Sequence, residues 1–66
     1  MAIVKDAMTI GKILATIITM FNLNSMQENA LKSYVKLQQM EWIEKCKSEA
    51  EIQQYIISKA NEIIKE

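Results

Sequence analysis

Ile10-Gly11-Lys12-Ile13-Leu14-Ala15-Thr16-Ile17-Ile18-Thr19-Met20-Phe21-Asn22-Leu23-Asn24-Ser25-Met26-Gln27-Glu28 is the stretch whose reading decides the fold. Projected at about 100° per residue, its polar members, with Lys5 and Thr9 upstream, fall on one narrow stripe of Lys12, Thr16 and Thr19. Almost everything else in it is apolar, the pattern of a helix buried most of the way round. The pattern stops at Asn22-Leu23-Asn24, and asparagine tolerates turn and left-handed backbone. Ser25-Met26-Gln27-Glu28 then reads as a capping box, in which a serine and a glutamate three residues on satisfy each other's free amides at a helix start.

Working outward, a second box stands at Ser48-Glu49-Ala50-Glu51, and Lys45 and Lys47 before it suit the negative end of a preceding helix. The chain has no proline, and its one glycine, Gly11, lies inside a helical pattern, so capping chemistry alone sets the boundaries. The expectation is an all-α three-helix bundle, with helices over 4–22, 26–46 and 49–65 in a single domain, 1–66. Nothing between the last two forbids one continuous helix from Ser25 onward, and that alternative stays open.

The faces of these helices hold more apolar surface than one small core needs. In the first, Ile3, Ala7, Ile10, Leu14, Ile17, Ile18 and Phe21 form a ridge, with Ile13 and Met20 on one flank and Val4, Met8, Gly11 and Ala15 on the other. That arc covers about 240°. The second helix shows two adjacent stripes, Met26, Ala30, Tyr34, Leu37 and Met40 on one side and Leu31, Val35, Trp42 and Cys46 on the other. The third is a cleaner amphipath built on Ile52, Ile56, Ala60 and Ile63, with Ile57 and Ile64 beside them.

Composition narrows the function. Sixty-six residues sit near the size at which one hydrophobic core becomes marginal, and small chains compensate with disulfides, a metal or oligomerisation. A single cysteine, Cys46, allows no internal disulfide, and the absence of histidine leaves zinc without its usual ligands. Oligomerisation remains, and half the residues are apolar. Eight basic residues balance eight acids, and every basic residue is lysine. Without arginine or a net positive field, specific nucleic-acid binding is disfavoured, although an AT-rich genome would also produce a chain rich in Ile, Lys and Asn.

The most apolar run, Ile13 to Leu23, is eleven residues long and includes two threonines, against the roughly eighteen or more that a membrane span needs. Asp6 and the bulky residues around Phe21 do not suit a signal peptide, and the unpaired cysteine agrees with a cytoplasmic location.

Catalysis has little to draw on: there is no histidine, no glycine-rich phosphate loop and no nucleophile with an evident base, so neither an enzyme nor a cofactor is expected. Lys45 and Lys47 would favour a Cys46 thiolate. The plainer expectation packs Cys46 as a small hydrophobe on the Leu31, Val35 and Trp42 stripe. Glu41 with Glu44, and Glu49 with Glu51, read as solvated helix surface. Ala7, Gly11 and Ala15 recur every fourth residue, a spacing that lets helices approach closely, either within the bundle or across a dimer seam. The internal methionines all fall where core filling is expected, with an adaptable binding surface as the alternative. Trp42 is read as an interface anchor on the stripe opposite the core, or as the residue that closes the bundle.

Together these features point to a small protein-binding or regulatory protein, a homodimer first of all, with a further protein partner; the composition also fits a phage- or plasmid-type accessory protein. The candidate interface is Met8, Gly11, Ile13, Ala15, Met20, Leu31, Val35 and Trp42. Two other classes remain as alternatives. One is a membrane-surface helical protein, against which the scarcity of basic charge on the first helix counts. The other is a helix-turn-helix DNA binder, against which the neutral charge counts. Ile17→Asp or Phe21→Asp places a charge on the apolar ridge and should abolish folding or assembly. Far-UV circular dichroism and solution mass check this, and retention of both by both variants would show that the ridge is not the core.

Overall fold

The computed structural model describes residues 3–65 as three helices, α1 (Ala7–Phe21), α2 (Ser25–Glu44) and α3 (Glu49–Lys65), each packed against the other two. α2 and α3 are separate helices, and α3 starts where its capping box places it. Glu51 donates its backbone amide to Ser48 Oγ at 3.2 Å, and Ser48 donates its own amide to Glu51 Oε1 at 3.5 Å.

Two helix starts differ from the expectation. α1 begins at Ala7, three residues later than position 4, because Asp6 takes the capping role. Its carboxylate accepts the Thr9 amide at 2.8 Å and the Thr9 hydroxyl at 3.0 Å, and these two bonds, the backbone one foremost, hold the carboxyl below its ordinary pKa. Residues 3–5 instead run extended. Val4 donates its amide to the Lys47 carbonyl at 3.0 Å, and Ile3 pairs with Ser48 in a single antiparallel bridge. Val4 is thereby buried in the core, as a strap across the α2–α3 turn rather than as a flank of the first helix.

The second shift is one residue. The box at the start of α2 is closed by Asn24 and Gln27, not by Ser25 and Glu28. Gln27 donates its amide to Asn24 Oδ1 at 2.8 Å, and Asn24 donates its own to Gln27 Oε1 at 3.0 Å. Glu28 is then free to pair with Lys32 one turn on, at 2.7 Å.

Both inter-helix turns reverse the chain by one device, with no glycine. After α1, Leu23 donates to the Ile18 carbonyl and Asn22 to that of Thr19, with Asn22 at φ 52°. After α2, Lys47 donates to Trp42 and Cys46 to Ile43, with Cys46 at φ 54°. This paired pattern of a six-to-one and a five-to-two bond around a left-handed residue is the Schellman motif. Asparagine suits that conformation; cysteine does not, because its Cβ crowds the neighbouring carbonyl. The expectation that Cys46 packs on the Leu31, Val35 and Trp42 stripe is therefore corrected: the turn holds its side chain in solvent.

The core is one file of buried side chains: Val4, then Ile10 and Ile17 of α1, Leu31, Val35 and Trp42 of α2, and Ile52, Ile56, Ala60 and Ile63 of α3. Ile13, Leu14, Ile18 and Phe21 lie half-buried around it, which accounts for much of the wide apolar arc of the first helix. Cys46→Gly relieves the left-handed strain and should raise stability by about 1 kcal/mol. Urea titration reads this directly, and an unchanged or lower midpoint would mean that the turn is not strained.

Candidate protein-interaction surface

Among the described residues no three potential metal ligands cluster, and no helix is long and apolar enough to cross a membrane. The candidate interface turns on which apolar side chains the core leaves outside.

α2 turns its Trp42 stripe inward. Trp42 stacks on Tyr55 of α3, with ring centroids 5.7 Å apart and planes 22° apart, and meets Tyr34 edge-on at 6.0 Å. Lysines cover the outer faces of this group: Lys47 Nζ lies 5.8 Å from the Tyr55 ring centre and Lys59 Nζ 5.4 Å from that of Tyr34. Burial, with Glu62 and Tyr55 in support, pushes the Tyr34 hydroxyl above its ordinary pKa. With Leu31, Val35 and Trp42 all buried, these three candidate interface residues belong to the chain's own core. Their place on the surface is taken by the other stripe. Met26 is 82% exposed, Leu37 80% and Met40 63%, with Ala30 and Ser33 exposed between them.

The remaining candidates divide. Met8 and Met20 are exposed at 72% and 63%. They stand about 120° apart around α1 by helical projection, with Thr9, Lys12 and Thr16 between them, so they form no common patch. Ile13 is half-buried against the core. Gly11 and Ala15 are exposed and line an open groove of about 240 Å³ between α1 and α2, with Leu14, Ile18 and Thr19 on the same wall and Glu28 and Lys32 opposite. Here the helices do not approach closely: a Cβ built at Gly11 would meet nothing within 4 Å. A tight contact inside the bundle therefore does not explain the glycine.

A second groove, of about 370 Å³, runs where Met26 and Ala30 of α2 approach Ile63 of α3, with Asn24 and Gln27 at its end. It extends the exposed α2 stripe sideways onto α3. The four methionines within the described residues, Met8, Met20, Met26 and Met40, all lie on the outside, contrary to the expectation that they fill the core.

Comparison with protein families, with curated proteins and with solved structures returned no match to this chain.

Of the stripe that the sequence places inward, Met26, Ala30, Leu37 and Met40 are exposed and only Tyr34 packs against the core. The signal that separates the two stripes is aromatic: Trp42 has a stacking partner, Tyr55, at the matching level of α3, and Met40 has none.

Gly11→Ala introduces no clash and removes a helix-interior glycine, so it should stabilise the free chain by about 1 kcal/mol. For a chain this small that is a rise of about 4–8 °C in melting temperature. A calorimetric melt that falls instead would place a close neighbour at Gly11.

Proposed function

We propose that this chain is a small protein-binding protein that works through an exposed apolar helix face, and that its first partner is a second copy of itself in a homodimer. One observation carries the reading. The chain closes a complete core and still leaves Met26, Leu37 and Met40 in solvent along one face of one helix. Isolated apolar residues are ordinary on a surface, whereas an aligned row of large ones is a docking feature. Three of the residues Met26, Ala30, Leu37 and Met40 are long or flexible enough to adapt to an opposing surface, and methionine is the most adaptable of the apolar side chains.

Magnitudes set the strength of the association. Fully burying a methionine or leucine is favourable by about 1.5–3 kcal/mol. Half-covering the three large side chains on each of two copies therefore gives at most roughly 5–9 kcal/mol. Association costs on the order of 4–15 kcal/mol in lost translational and rotational freedom. The dimer is accordingly expected to be reversible and concentration-dependent, the behaviour of a regulatory contact rather than of a permanent assembly.

Light scattering after size exclusion, over a dilution series, tests this. The expected mass is twice the 7.6 kDa of the chain at high concentration, falling towards 7.6 kDa on dilution. A single-chain mass at every concentration would remove self-association.

A further inference from the structure

We propose that the dimer forms through the outer face of α2 alone, with the two α2 helices antiparallel and Lys36 of each copy beside Glu44 of the other. This rests on the self-association just proposed and adds its geometry.

Met26, Ala30, Ser33, Leu37 and Met40 follow one another at spacings of four, three, four and three residues, the alternation that keeps a seam on one side of a helix against a partner helix. Glu44 continues the same spacing by one step. The seam lies on the side of α2 away from Leu31, Val35 and Trp42, so a partner helix can lie along it without disturbing the core.

Charge selects the occupant and its direction. Along α2, Glu28 pairs with Lys32 and Glu41 with Lys45. Lys36 and Glu44 have no ion-pair partner among the described residues, and both are exposed. They stand eight residues apart, with Met40 midway between them. A two-fold axis across α2 at Met40 exchanges the two positions and overlaps the two helices over residues 36–44, so it sets each Lys36 against the partner's Glu44 and forms two ion pairs around one apolar patch of Leu37 and Met40, with Met26, Ala30 and Ser33 beyond the overlap. A symmetric dimer requires a surface complementary to itself under such a rotation, and a lone cation and a lone anion equidistant from the axis supply it. Antiparallel helix dipoles add to the preference. A parallel pair in register would instead bring the two Glu44 carboxylates into one layer of the seam.

The test uses the full chain and its exposed positions, so circular dichroism, and thermal melting at concentrations where the parent is a single chain, should match the parent for every variant. Leu37→Glu should weaken dimerisation about a hundredfold. Lys36→Glu and Glu44→Lys should each weaken it by about threefold to tenfold, and the double variant should recover the parent affinity. Met8→Glu, on α1, should change nothing. A parent dimer that survives Leu37→Glu overturns the α2 seam while leaving self-association intact. Loss of dimer in Leu37→Glu without recovery in the charge-swapped double overturns the antiparallel arrangement. A parent that is a single chain at every concentration overturns both this inference and the self-association beneath it.

Discussion

Three short helices around a single file of side chains leave each helix room to bury one stripe and no more. That constraint organises this molecule. α3 has one apolar stripe and buries it. α1 has a wide arc, and part of its excess lies half-buried against the core, as Ile13, Leu14 and Ile18 show, while Met8 and Met20 stay exposed. α2 carries apolar residues on two opposed faces and must choose between them. The choice falls to Trp42, whose ring buries more area than any side chain on the other face and finds Tyr55 to stack upon. What the choice leaves outside is the surface proposed here to bind.

Much of the architecture was legible because it is written in local terms. The helix count follows from two capping boxes and an asparagine loop, and the start of α3 from a serine and glutamate that bond as their spacing demands. At the other two helix starts, competing local signals lie close together. Asn24 and Ser25 both offer a cap to α2, and the left-handed turn at Asn22 brings Asn24, not Ser25, into the extended conformation that a cap requires. Asp6 and Thr9 carried a usable signal for the start of α1 that apolar periodicity overrode.

The candidate surface was harder to read for a different reason. Periodicity identifies the stripes of a helix but ranks two stripes on one helix only by their partners, and those lie elsewhere in the chain. Tyr55 is thirteen residues from Trp42 and reaches it only after the turn at Cys46 has reversed the chain. The same applies to Gly11. Its spacing from Ala7 and Ala15 suggested close packing, whereas the actual gap depends on how α1 and α2 splay around the core.

The strap at Val4 carries an implication for how the molecule assembles. The carbonyl that receives its amide belongs to Lys47, at the end of the α2–α3 turn, more than forty residues away along the chain. That acceptor is presented only once α2 has ended and α3 has begun, and closing so long a loop is entropically unfavourable until other contacts hold its ends together. The three helices can form and meet through nearer neighbours first. The strap then joins as a late-forming latch. Among the described residues it is the one hydrogen bond that joins distant parts of the chain, and the amide of Val4 should exchange with solvent well before those of the helices it ties down.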